Sequence, residues 1–409
     1  MTTEPASPTV PAVTYRALLS VPSFPSVVLS TLLSRIGGQM SSIALILFIL
    51  TRYHSPGLAG LATFLSIFPG VLVSPLAGAL LDRHGRKRLI AVDYLFAMLA
   101  WVAIGSLSLA HQLPVPLLLV LTGLQAVTAP LSQTGLRTLF PLLVPRPLWE
   151  RANAVDSNLY VLAGIIGPAL AGILVAIGGG ELALIATGLF AGAAALALIG
   201  LRDPETDTAT TGSLLRDSWQ GLLYVVRNPT LRGLAVSISV ANLGGGILAI
   251  ALPVLVFQRL HQGPAAIGLL FSVMGVASLV AIIFWGRLRT EGIERQLLAL
   301  PQFGFAGGLL LIVLAPNLWL VALGMAIFGV VVGPLDIALF TVRQRRTDAA
   351  WMGRAFAVSM MLNYAGVPIG SALAGPLIGW SLSGSFYVTI GLVVIAGILP
   401  LFLIPQHDS

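Results

Sequence analysis

Long apolar runs, separated by short polar breaks, fill this chain from residue 25 to residue 404. A helix rises 1.5 Å per residue, so about 20 apolar residues cross the hydrocarbon of a bilayer. Runs of that length lie near 25–50, 57–81, 89–110, 115–139, 152–178 and 181–201, and again near 231–257, 264–288, 297–315, 317–341, 355–380 and 384–404. The pattern predicts an all-α polytopic membrane protein with twelve spans in two sets of six.

Between the sets lies the only long connection, 202–230. RDPETDTATTGS reads as linker, and the following stretch places Leu214, Leu215, Trp219, Leu222, Leu223 and Val226 on one face, a helix expected to lie on the inner membrane surface. The expected organisation is a bundle over 1–201 with a short N-terminal tail, a linker over 202–230 and a second bundle over 231–409.

Composition agrees with the pattern. Hydrophobic residues make up 57% of the 409 and charged residues 9%, far below the quarter usual in soluble folds. The net charge of +7 could suggest nucleic acid, but the bases sit at the ends of apolar runs, which is a topology signal. With the N-terminus inside, nineteen bases fall in inner segments and only Arg52 and Arg259 in outer loops, while Arg35 falls within a span. Both termini are therefore expected on the cytoplasmic side of a plasma (inner) membrane.

Several chemistries drop out. The chain has no cysteine, its five histidines are scattered, and its single lysine, Lys87, follows Arg86, so no phosphate loop can form. No metal, cofactor or nucleic acid is expected. Residues 1–24 lack the apolar core of a signal peptide and read as a cytoplasmic tail.

The two halves repeat one another. RIGGQMSSIALILFILTRYH (35–54) lies over NLGGGILAIALPVLVFQRLH (242–261), and RANAVDSNLYVLAGIIGPALAGIL (151–174) over RAFAVSMMLNYAGVPIGSALAGPL (354–377). Gly78-x-Leu80 falls faintly on Gly286-x-Leu288. Two bundles related by an axis along the membrane normal, around a central cavity, is a transporter plan.

GALLDRHGRKR (78–88) concentrates one acid and four bases between spans 2 and 3. Gly78, Asp82, Arg83, Gly85 and Arg86 in this order resemble the loop 2–3 signature of the major facilitator superfamily of secondary transporters. Ser34-Arg35-x-Gly37, Arg151-Ala-Asn153-Ala and Gly167-Pro168-x-x-Ala171-Gly172 resemble its bacterial exporter branch, which includes siderophore and macrolide efflux proteins. The resemblance implies a monomer and a cytoplasmic latch. Gly78 would let helices approach, Gly85 would allow the reversal, and Asp82 would meet the N-terminus of span 11. Arg83 and Arg86 would pair with acids such as Asp93 and Asp156. The rival view is that the bases only fix topology.

Arg35 lies at mid-depth in span 1, where a base costs at least ~2.5 kcal/mol unless it faces a cavity or a partner. Its repeat-mate is Asn242, and Gln39 and Gln125 could complete a polar ring at the substrate cavity. The alternative is a structural Arg35, bonded to backbone carbonyls or to Asp156. Asp336, after Gly333-Pro334, is the first candidate for proton coupling, with Asp93 and Asp156 behind it. The resembled family often carries an arginine three residues before the span 4 glutamine. Thr122 stands there, which speaks against a conventional proton relay. In span 5, Gly164, Gly167, Pro168 and Gly172 predict tight packing and a kink.

The expected activity is export of a small amphipathic or anionic compound by alternating access, with proton antiport. A nutrient importer or uniporter of the same fold is the alternative. A lipid scramblase or membrane enzyme is the reading from another class; no paired carboxylates or nucleophile–base pair favours it.

Overall fold

The computed structural model describes residues 14–201, 214–285, 292–348 and 351–405. Among these, helices account for nearly everything. A short α1 (Tyr15–Leu19) precedes α2 (Phe24–Arg52), α3 (Pro56–His84), α4 (Arg86–Leu109), α5 (Val115–Leu143) and α6 (Trp149–Ala197). The second half runs through α7 (Leu214–Arg227), α8 (Pro229–Gln258), α9 (Pro264–Trp285), α10 (Glu294–Leu314), α11 (Leu318–Arg345), α12 (Met352–Tyr364), α13 (Gly366–Trp380) and α14 (Leu382–Leu403).

Eleven segments among the described residues are long and apolar enough to cross a bilayer. One of them, 146–197, is 52 residues long and is broken at Gly178 and Gly179, so it holds two spans. Gly179 has φ +77, open to glycine at little cost. Span 11 is α12 followed directly by α13, with a break at Ala365. Twelve spans result, as the apolar runs predict.

Local chemistry fixes the ends. Ser55, Asn228, Asn317 and Ser381 each accept a hydrogen bond from the backbone N–H three residues on, at 3.0–3.1 Å, capping α3, α8, α11 and α14. Proline in the first turn of α2, α3, α5 and α8 gives up a donor that the helix would leave unpaired anyway. Gly85, at φ +85, ends α3 and starts α4, which makes the reversal a one-residue turn.

Packing repeats pair by pair. In the first bundle α2 lies against both halves of α6, α3 against α5, and α4 against α5 and α6. In the second, α8 lies against α13 and α14, α9 against α11, and α10 against α11 and α14. Bonds repeat as well. Ser30 donates to Ala194 O at 2.9 Å, and Ser237 to Ala396 O at 2.8 Å. Arg52 bonds His111 Nδ1 at 2.7 Å in the turn after α4, and Arg259 bonds Val313 O at 2.5 Å at the end of α10, each tying the end of its helix to the far end of a neighbouring span. His54 and His261 close those turns at φ +50 and +51. Gly286 and Leu288, the faint mates of Gly78 and Leu80, lie outside the described residues.

Both bundles start at the same end, which carries most of the bases and is called the basic end below. At the far end the bundles meet across glycines. A Cβ on Gly60 of α3 would collide with Ser371 O of α13, and one on Gly375 with the backbone of Gly57. α6 meets α9 in the same half: a Cβ on Gly172 would lie 2.9 Å from Gly268, and one on Gly275 2.6 Å from Ile165. Toward the basic end the bundles part, since α5 makes no extended packing with α12, nor α6 with α11. There the bridge between bundles is α7, which touches α12, α8 and α3.

Candidate functional site

Arg35 is the residue with the most to satisfy. It sits twelve residues into α2, about 17 Å along the axis. Its Nη1 donates to Asp156 O at 2.6 Å and its Nη2 to Asp156 Oδ1 at 2.8 Å, while the guanidinium lies 5.5 Å from the Tyr160 ring centre. The pair is 15% and 27% exposed, so one side of it faces open space. An uncompensated arginine at this depth is costly, and Asp156 on α6 removes most of that cost.

The second bundle holds a neutral version. Asn242 Nδ2 donates to Asn363 O at 2.8 Å, across the equivalent crossing of α8 with α12. With its amide oxygen turned toward α11, Asn363 accepts from Arg343 Nη2 at 2.6 Å and donates to Ser359 O at 3.1 Å. Arg343 is fully buried between the rings of Phe340 and Phe356, at 5.7 and 4.9 Å, with Met360 Sδ 2.8 Å from Nη1. The polar chain Asn242–Asn363–Arg343 thus runs from α8 through α12 to α11.

Asp336 is exposed on α11, two residues past Pro334. It lies near Tyr364 on α12, as do Arg343, Arg137 on α5 and Tyr160 on α6. Tyr364 and Tyr160 are each 52% exposed. Residues of both bundles therefore face one space at mid-depth: Arg35, Asp156 and Tyr160 from the first, Asp336 and Tyr364 from the second. The two tyrosines carry no sequence signal beyond their presence in an apolar run.

The polar ring expected from the sequence is only partly assembled. Gln39 is half-buried, and its Cβ is 2.5 Å from where a Cβ on Gly167 would stand, so it packs against α6. Gln125 is half-buried on α5, and no described hydrogen bond joins its side chain to Arg35 or Asn242. Thr122 turns inward and donates to Leu118 O at 2.8 Å.

The loop between α3 and α4 departs from its expected pairings. Arg86 bonds Asp82 Oδ1 at 2.6 Å within the motif, one helical turn apart, rather than an acid on a neighbouring helix. Asp82 therefore spends its charge on Arg86 and not on the start of α12. Asp156 is taken by Arg35. Asp93 is 3% exposed on α4, beside the hydroxyls of Ser132 and Thr128 on α5. Arg83 is exposed. A Cβ on Gly78 would meet nothing within 4 Å, so no helix crowds it while the basic end is apart. Lys87, which the sequence offers only as a lone lysine, donates to Ile199 O at 2.8 Å and Leu201 O at 2.5 Å, closing the end of α6.

Span 5 divides into two behaviours. Gly167 and Pro168 are buried, Gly167 against α2, and Pro168 O lies 2.8 Å from where a Cβ on Gly268 would stand. Gly172 presses on α9 across the bundles, whereas a Cβ on Gly164 would meet nothing within 4 Å. Gly164 is thus not a packing contact here.

The sequence profile of the Major Facilitator Superfamily matches residues 27–242 and 234–409, nearly the whole chain in two overlapping pieces. The chain belongs to the Major Facilitator Superfamily. It is 36% identical to an uncharacterized MFS-type transporter, y4rN, of Sinorhizobium fredii, over 96% of this chain and 98% of that one. It is 26% identical to the multidrug efflux pump Tap of Mycolicibacterium fortuitum, over 84% and 87% of the two chains. Its fold superposes on the crystal structure of a bacterial homologue of the iron transporter ferroportin in an inward-facing state, with TM-score 0.72 at 16% identity, over 92% of this chain and 97% of that one. The protein is a multi-pass secondary transporter with efflux pumps among its relatives.

Proposed function

We propose that this transporter exports a small amphipathic or anionic compound by alternating access, as a monomer in the plasma (inner) membrane with both termini in the cytoplasm. The observation that carries this reading is the asymmetry of the two ends. The bundles touch through glycine at the far end and stand apart at the basic end, with mid-depth polar and aromatic side chains of both facing the gap. With the basic end in the cytoplasm, this is the arrangement that loads substrate from inside. The kinship with an efflux pump supports the outward direction.

Coupling to protons is assigned to Asp336. Asp156 is neutralised by Arg35 and Asp93 is buried away from the gap, which leaves Asp336 as the exposed carboxylate of α11. A carboxylate that exchanges protons must be reachable by both water and substrate, and the exposure of Asp336 supports that role. Closing the basic end would bring the loop after α3 to the start of α12. Asp82 would then trade Arg86 for the positive end of that helix, with Gly78 crowded and Arg83 drawn into the contact.

The test is transport into inside-out vesicles against a panel of amphipathic cations, anions and neutral compounds, with and without an inward acid gradient. Uptake of at least one compound that collapses when the gradient is removed supports the proposal. Uptake only in right-side-out vesicles favours the importer, and uptake indifferent to the gradient removes antiport.

A further inference from the structure

The helix before span 7 has two unlike sides. One side docks on the second bundle. Gly221 lets α7 approach Arg354 O, 3.2 Å from where a Cβ would stand, and Val225 beside it is 1% exposed. Tyr224 stacks on Trp351 at 5.1 Å and 13°, and shares hydrogen bonds of 3.1 Å with Asp348, one to the carboxylate and one from its N–H. Gln220 accepts from Arg354 Nη1 at 3.3 Å. The other side carries Trp219, 60% exposed, and Val226, 49% exposed, two turns apart on one face. Arg227 at the end of α7 and Arg232 in the first turn of α8 are both exposed, and Arg232 Nη1 lies 3.4 Å from Val226 O.

The first bundle repeats the device. α1 stands before span 1 as α7 stands before span 7. Arg151, the repeat-mate of Arg354, covers the Tyr15 ring at 5.8 Å. Leu18 is buried, while Tyr15 and Leu19 are 55% and 59% exposed. Equivalent arginines at the starts of spans 5 and 11 therefore pin two short helices at one level, each turning large apolar side chains outward at the rim of the spanning region.

We propose that α7 seats this face in the headgroup layer at the basic end, with α1 as its counterpart, and that Arg227 and Arg232 there bind anionic phospholipid. The level fits a lipid occupant. α7 joins α8 through Asn228 alone, so it lies where the spans leave the hydrocarbon, the depth that Trp side chains favour. The charge fits an anionic one, since each base near such a surface strengthens binding about fivefold. Because α7 also touches α3 of the other bundle, lipid bound here holds an element that both moving bodies share.

The chain has no cysteine, so Val226→Cys labelled with bimane reports one position without background. The labelled full-length protein is placed in nanodiscs of phosphatidylcholine, alone or with about one quarter phosphatidylglycerol, and Gln262→Cys at the far end serves as a water-exposed control. The proposal expects shallow nitroxide lipid to quench the Val226→Cys label at least twofold, more with phosphatidylglycerol. Iodide should quench it several-fold less than the control. Adding Arg227→Gln and Arg232→Gln should erase the phosphatidylglycerol increment, as should high salt. Iodide quenching equal to that of the control overturns the proposal. So does protection from iodide without quenching by the lipid, the signature of a protein cover such as a second copy. Equal nitroxide quenching in both compositions overturns the anionic assignment.

Discussion

Arg35 gives two hydrogen bonds to one residue, Asp156, reaching its main-chain oxygen at 2.6 Å and its carboxylate at 2.8 Å. The repeat-mate Asn242 reaches the main-chain oxygen of Asn363 at 2.8 Å. In each half a polar side chain of the first helix thus binds the backbone of the fifth. The acceptors are not repeat-mates: Asp156 lies over Ser359 in the repeat, so Asn242 reaches one turn further along its partner helix, and only the first copy makes an ion pair.

Removing one member of that pair is therefore expected to be asymmetric. Arg35→Gln strands a carboxylate at mid-depth and should cost about 2 kcal/mol, whereas Asp156→Asn keeps both acceptor oxygens and should cost about half as much. Arg35→Lys should not rescue, because a point donor cannot reach both oxygens as a planar fork does. A double-mutant cycle on thermal unfolding in detergent checks this; additivity of the two changes would show that the pair is not coupled.

Arg343 is fully buried, and its Nε has no partner among the described residues. Arg343→Met fills much of the same volume and removes a poorly solvated charge, so it should shift stability by no more than about 1 kcal/mol. Arg343→Ala leaves a hole between Phe340 and Phe356 and should cost about 3 kcal/mol. The order of the two melting temperatures decides whether packing or charge keeps this arginine in place.

Gly60 and Gly375 have no room for a Cβ against the backbone opposite. Gly60→Ala is expected to pry the far end apart and raise the outward-open population rather than unfold the protein. Leu50→Cys, 6% exposed at the far-end pocket of about 570 Å³, should then react several-fold faster with an impermeant thiol reagent.

Asp336→Asn should leave binding of a neutral substrate within about twofold and abolish the effect of a pH gradient on transport. Asp93→Asn, beside Ser132 and Thr128 and away from the gap, should leave the gradient effect intact. Gradient-dependent transport surviving in Asp336→Asn would move the coupling role elsewhere.

Gly85 holds φ +85 in the turn between α3 and α4. Gly85→Ala should cost roughly 1–3 kcal/mol through backbone strain alone. Gly78→Ala has open space in this arrangement and should spare stability. If Gly78 is crowded only when the basic end closes, the same change should still slow transport, which separates the latch from a purely topological role for this loop.

Much of the fold is readable from the chain because bilayer thickness converts directly into residue counts. The match of 35–54 with 242–261 locates polar crossings of the first and fifth helices in both halves, and the coinciding His54 and His261 adopt the same left-handed turn. Partner choice is less legible. Asp82, Asp93 and Asp156 all lie near basic-end helix termini in sequence, yet one binds its own turn, one is buried beside hydroxyls and one reaches Arg35. Helix rotation decides among them, and an apolar run that is oily on every side hides its rotation. For the same reason Tyr160 and Tyr364 pass unnoticed, and Arg343 reads as one more basic-end charge. The amphipathic helix was legible as such, but Gly221 and Tyr224, which dock it on the second bundle, were not.

The central claim is that two copied bundles rock against each other, so that one end closes as the other opens. Pulsed spin-label distances test it most directly, with Thr51→Cys/Gln258→Cys at the far end and Glu150→Cys/Gln344→Cys at the basic end, measured with and without Gly60→Ala in lipid. The account predicts that Gly60→Ala lengthens the far-end distance and shortens the basic-end distance in the same sample. A basic-end distance that stays fixed, or lengthens together with the far-end one, would contradict it.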